Sequence, residues 1–218
     1  MVSFDWPSEG SALNYLEDRT DAKLTALSLV TDCISLFVQY QQPDCRVNLH
    51  ILAHSMGAFV AREAFDDADD RPNIAAVNWT VSQLMLVAAD ISSASLSLGN
   101  SKSSSLYRHS IRVTNYWNPF DAVLSIANVK RIGVAPRLGR IGLPPDVPDK
   151  AVDVDCGPHY QQISANKAPE LIDLYSHSWF VDDPLFAMDA VLTIAGGIDR
   201  NRLPTRIGSN NRLVLTKP

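Results

Sequence analysis

The stretch from Val47 to Phe65 constrains the fold more than any other in the chain. Val47 and Leu49 to Leu52 supply the apolar run of a buried strand. Ala53, Ser55 and Gly57 then form a small-x-Ser-x-small turn, and Ala58 to Phe65 returns to helical spacing. Strand, tight turn with a central serine, then helix is the setting of a nucleophile elbow. The pattern has a steric cause. A serine thrust out on a strained turn needs small residues two before and two after it, although Ala53 stands where glycine is commoner. The helix that follows turns its first N–H groups toward developing negative charge, and Met56 N–H is the first such donor.

Composition narrows the classes of partner. In 218 residues, 46% are hydrophobic, enough for one well-buried α/β domain. Net charge is −5 and no long basic stripe interrupts the sequence, which argues against nucleic acid or an anionic membrane surface as partner. The densest basic stretch, Lys130, Arg131, Arg137 and Arg140, is broken by Gly and Pro and reads as a solvated loop. Three cysteines, Cys33, Cys45 and Cys156, show no CxxC spacing. They suit a reducing compartment better than a disulfide scaffold or structural zinc site, although the sequence leaves a Cys33–Cys45 bridge open. No apolar run is long enough to span a bilayer and no leader is visible, so a cytoplasmic location is expected.

Along the chain, Val2 to Trp6 alternates like a short strand, closed by the turn residues Pro7 to Gly10. A long amphipathic helix is expected from about Asp21 to Gln41, with Leu24, Leu27, Leu29, Val30, Ile34, Phe37 and Val38 on its apolar face. Leu84 to Ala89 is the next buried strand after the elbow helix. Ser92 to Ser105 is Ser-rich and reads as a mobile loop that can hold a short helix. Ser110 to Tyr116 is alternating and β-branched, hence a strand. A turn at Asn118 to Asp121 and a brief helix over Ala122 to Ala127 follow it. Gly133 to Pro148 is a Gly/Pro-rich connection, and Ala151 to Asp155 the last clear strand. Pro184 to Ala195 forms a terminal helix, with a polar tail over about 196–218 that reads as loose from Asn201. Strands alternating with helices predict an α/β fold, a mainly parallel sheet covered on both faces. Sites in such sheets form at the carboxyl ends of strands.

A serine hydroxyl becomes a nucleophile only when a base takes its proton and an anionic group fixes that base. The elbow architecture expects nucleophile, acid and histidine in that chain order. His50 and His54 lie inside or beside the elbow strand and cannot easily swing over Ser55, and His109 opens a strand. His159 and His177 remain, both read as loop residues; His177, held among Tyr175, Trp179 and Phe180, is the preferred base. Asp121, in its tight Asn-Pro-Phe-Asp turn, is the preferred acid and Asp90 its competitor, while Asp153 and Asp155 read as surface residues at a strand end.

These residues carry a resemblance. Phe4 to Gly10, Tyr15 with Asp18 and Arg19, Ala53 to Gly57, Asn118 to Leu124, Pro136 to Gly139 and His177 to Phe180 resemble, in order and spacing, motifs of the α/β-hydrolase family called domain of unknown function 900. The likeness runs from the first strand to about residue 195. It implies an α/β-hydrolase-like domain over 1–218, with Ser55 as nucleophile, Asp121 as acid and His177 as base. It implies hydrolysis of an ester or similar acyl bond with no metal or organic cofactor, and the lack of a long apolar lid segment in the sequence favours small acyl esters. It also implies an upstream strand and His-Gly loop, donating an oxyanion-hole N–H, that this chain does not contain. Met56 N–H supplies one donor, and a backbone N–H near Trp6 to Glu9 is the candidate for the other. The N-terminally shortened sheet would leave an unpaired edge, which a second subunit can repair as a homo-oligomer. The alternative reading is a catalytically weak remnant that binds a partner or ligand.

Overall fold

The computed structural model describes residues 15–41, 48–129 and 135–218, together with Ser3 and Asp44. The strand expected at Val2 to Trp6, the donor expected near Trp6 to Glu9, and Cys45 lie outside the described residues. In chain order come α1 (Tyr15–Ser28), a π-helical turn (Leu29–Ile34), α2 (Ser35–Tyr40), β1 (His50–His54), α3 (Gly57–Asp69) and α4 (Pro72–Ala75). Next are β2 (Val81–Val87), a 3-10 turn (Ser93–Leu96), α5 (Ser101–His109), β3 (Ser110–Trp117), α6 (Ala122–Val129), α7 (Leu138–Ile141) and β4 (Ala151–Asp155). The chain closes with α8 (Gly157–Ser164), α9 (Pro169–Ser178), a second 3-10 turn (Trp179–Asp182), α10 (Pro184–Ala195), β5 (Arg206–Ser209) and β6 (Arg212–Leu215).

Among the described residues, six strands form one sheet in the order β1-β2-β3-β4-β6-β5. All neighbouring pairs run parallel except β5 with β6. The period-2 alternation of strand side chains divides the apolar residues between two cores. From β2, Leu84 and Leu86 enter a core with Phe59, Phe65 and Val30, supplied by α3 and the N-terminal helices. Their neighbours Met85 and Val87 enter the opposite core with Tyr116, Trp179 and Phe186. Burial on both faces is why β2 reads as a continuous apolar run, and each such side chain contributes roughly 1.5–3 kcal/mol by leaving water.

The expected face is buried at Val30, Ile34 and Val38, but in α1 the alanines replace Leu24 and Leu27 on it. Ala22, Ala26, Val30, Ile34 and Val38, at i, i+4 spacing, are buried, while Leu24 is 60% exposed. Small alanines let α1 approach α3 closely; the larger leucines are left outside. Ser92 to Ser105 is not a loop throughout. It holds a 3-10 turn and the start of α5, with Ser103, Ser105, Leu106 and Tyr107 buried. Asn100 caps α5 by accepting a hydrogen bond from Lys102 N–H at 2.9 Å. The segment expected to be a loose polar tail is also structured. Its β6 adds to β4, and the β5–β6 hairpin turns at Asn210 and Asn211, both in the left-handed region. Four-residue strands give too short an alternation to stand out from the polar residues around them.

Candidate active site

Ser55 follows the last residue of β1 and sits at φ 53°. A side chain in the left-handed region costs on the order of 1–3 kcal/mol, so the surrounding structure must impose it. It does so through the backbone: Ser55 N–H donates to Val87 O at 3.0 Å, and Ser55 O accepts from Asp90 N–H at 3.0 Å and Ala58 N–H at 3.1 Å. The elbow is thus fastened to the end of β2 on one side and to the first turn of α3 on the other. Met56 occupies the cap position of α3, and its N–H lies at the positive end of the helix dipole.

The expected acid sits on the next turn but one. Parallel register aligns the ends of β1, β2 and β3, with His54 opposite Val87 and Val87 opposite Tyr116. Asn118 to Asp121 emerges from β3 at that same edge. Asn118 N–H donates to Gly139 O, and Asn118 Nδ2 donates to Ser176 O at 3.0 Å. Ser176 Oγ in turn accepts from Ala122 N–H at 2.9 Å, so the turn and α9 are joined twice. Gly139 itself lies tight against the backbone that follows β2, where a Cβ would stand 2.2 Å from the Ala88 carbonyl carbon. Asp121 is fully buried, with Oδ1 accepting from Leu124 N–H at 2.9 Å.

Three of the predicted residues come together. His177 Nδ1–H donates to Asp121 Oδ2 at 2.7 Å, and Ser55 Oγ–H donates to His177 Nε2 at 2.9 Å. His177 belongs to the last turn of α9 rather than to a loop, and is 7% exposed. A helix-borne histidine has a more constrained backbone than a loop-borne one, which suits a base that must hold its direction.

The alternatives are engaged elsewhere. His159 lies in α8, buried, with Nε2–H donating to Asp183 Oδ2 at 2.8 Å. Asp183 caps α10 through its other oxygen, which accepts from Phe186 N–H at 2.7 Å. Asp90 is buried beside Arg137, Nε to Oδ1 3.0 Å. Arg137 is therefore a buried cation and not the solvated loop residue expected. Asp153 is likewise not at the surface: buried, it accepts from Asn115 Nδ2 at 2.7 Å, Leu143 N–H at 3.1 Å and Arg212 at 2.7 Å. Burial raises its pKa despite those donors.

Sequence reasoning set His54 aside as part of a strand, and it did not single out Asn118 and Ser176 for the joints they make. The sequence signals were present, since Asn118 opens the Asn-Pro-Phe-Asp turn and Ser176 precedes the preferred base. A cavity of about 560 Å³ borders the same turn, lined by Pro119, Phe120, Ala122, Tyr160 and others, but neither Ser55 nor His177 lines it. Among the described residues, no cluster of three or more His, Cys, Asp or Glu is placed to hold a metal ion. No helix among them is long and apolar enough to cross a membrane.

The model of the family described as alpha/beta hydrolase of unknown function (DUF900) matches residues 1–184, and the chain belongs to that family. The chain is also similar to an uncharacterized protein, alr1448, of Nostoc sp. (strain PCC 7120), 34% identical over 60 residues. That match covers 28% of this chain and spans 15% of the length of the Nostoc protein. No solved structure matches the chain.

Proposed function

We propose that this α/β hydrolase is a serine carboxylesterase acting on small acyl esters. The observation that carries the reading is the unbroken hydrogen-bond chain from Ser55 Oγ through His177 to buried Asp121, with Ser55 held at positive φ. In this reading His177 Nε2 removes the Ser55 proton as Oγ attacks the ester carbonyl. Asp121 keeps the Nδ1–H tautomer and stabilises the imidazolium that forms. Met56 N–H donates to the oxyanion of the tetrahedral intermediate, and the protonated His177 gives its proton to the leaving alcohol. Water then attacks the acyl-Ser55 ester, with His177 again as base, and releases the acid.

A fluorophosphonate probe tests the activated serine directly, because labelling requires a nucleophilic Ser55. The expected result is labelling of the wild type and none of Ser55→Ala, with p-nitrophenyl acetate and butyrate turnover lost in the same variant. A folded wild type that takes no label would sink the enzyme reading and leave a binding module in its place.

A further inference from the structure

Three observations converge on His54, the residue preceding the serine. Its Nε2 lies 3.2 Å from the His177 carbonyl oxygen, which can only accept, so the neutral ring carries its proton on Nε2. That carbonyl belongs to the last turn of α9, where helix carbonyls have no partner within the helix. The His54 ring also bears on the His177 ring, centroids 4.7 Å apart at 46°, and on Phe180 at 4.9 Å. His54 therefore touches the expected base through both its backbone and its ring, while Ser55 itself follows in the chain.

We propose that His54 is a positioning residue, which clamps the end of α9 against the elbow so that His177 Nε2 stays in line with Ser55 Oγ. This inference rests on the serine-hydrolase reading. A neutral donor is what the place requires. On accepting the Ser55 proton His177 becomes an imidazolium, and a second positive charge against its ring would oppose that step. The charged or titratable groups that act on His54 are His177 and Asp121; burial first and the His177 charge second lower its pKa, the His177 carbonyl and the Asp121 charge raise it, and the balance leaves it at about 4. His54 thus stays uncharged across the neutral range.

Two substitutions separate positioning from bulk packing. His54→Gln keeps an N–H at about the reach of Nε2, whereas His54→Phe keeps the ring and loses the donor. In wild-type background both are read by p-nitrophenyl butyrate kinetics and by the rate of fluorophosphonate labelling. The expected result is a kcat and a labelling rate roughly 10-fold lower in the Phe variant with little change in KM, and recovery to within about threefold in the Gln variant. A Phe variant within twofold of wild type, or Phe and Gln variants equally impaired, overturns the proposal. Long-range 15N–1H spectra of histidine-labelled wild type at neutral pH give a readout that needs no variant to fold and no turnover. They should show His54 as the Nε2–H tautomer, and an Nδ1–H tautomer overturns the clamp. Folded wild type that takes no label overturns the hydrolase reading instead, and the tautomer spectrum then decides the His54–His177 contact by itself.

Discussion

Two polar clusters hang on β3, and they are built to opposite ends. One begins four residues past the strand at Asp121 and runs through His177 to Ser55, a single file of hydrogen bonds ending on a hydroxyl in the left-handed region. The other begins inside the strand at Tyr116 and is saturated. Asp189 accepts from Tyr116 Oη at 2.7 Å, from Thr205 Oγ1 at 2.5 Å and from two nitrogens of Arg206 at 2.6 and 2.8 Å. Arg206 also donates to Thr193 Oγ1 and to Tyr116 Oη. The Arg206 and Asp189 side chains are fully buried. A buried ion pair is tolerated when every donor and acceptor is used, and it fixes how its elements meet even when it adds little net stability. Here it joins α10 and β5 to the sheet. The Ser55 file is left unsaturated at one end, where a reacting group can enter. One cluster serves the architecture; the other stores strain at the expected reacting atom.

Substitutions should break this contrast cleanly. The largest effect belongs to Ser55→Ala, which should lower ester turnover by at least about 10⁴-fold while leaving the urea midpoint within error of wild type. Asp121→Asn should follow, with kcat down roughly 10⁴-fold because the amide no longer selects the Nδ1–H tautomer of His177. Asp189→Ala should reverse the pattern. Removing one partner of a buried pair leaves Arg206 uncompensated, and urea denaturation should show a loss of about 3–5 kcal/mol, with turnover per folded molecule unchanged.

A smaller effect tests the seam between site and scaffold. His54 is depressed from 6.5 to about 4, by burial first and by His177 second. Between those values the unfolded chain binds more protons than the folded one. Its contribution to stability is therefore fully present above pH 6.5 and lost as pH falls toward 4. Solvent screening included, about 2 kcal/mol should disappear across that window, and His54→Gln should flatten that part of the urea-stability profile. A small effect on turnover is also expected from Asp90→Asn. Asp90 faces Arg137 and not the His177 ring nitrogens, so kcat/KM should stay within about threefold of wild type, measured with the same butyrate ester.

Legibility followed the length of the local pattern. β2, β3 and β4 are apolar or alternating over five to eight residues, and their positions were readable to within a few residues. The β5–β6 hairpin was not, because its four-residue strands bury few side chains, Arg206 in β5 and Leu213 and Leu215 in β6. Leu213 and Leu215 are buried, yet between polar neighbours they signal nothing alone. The amphipathic stripe of α1 misled for the reverse reason: hydrophobicity favoured leucines, while close helix packing chose alanines. The serine-rich stretch before β3 read as loop because Ser103 and Ser105 are buried by contact, not by hydrophobicity.

From the sequence alone came the small-Ser-small elbow, the alternation of strands with helices, and the short set of Asp and His that could complete it. These depend on residues within a turn or a strand of one another, so chain order suffices to reveal them. Which acid and which histidine meet Ser55 depends on groups 122 and 56 residues apart. Their meeting is settled by strand order, by parallel register that brings several turns to one edge, and by α9 docking onto that edge. The aromatic neighbours of His177 favoured it over His159 in the sequence, but local context does not show which of the two reaches Ser55. They differ in where their helices land, and that is a property of packing between elements, which no stretch of sequence carries by itself.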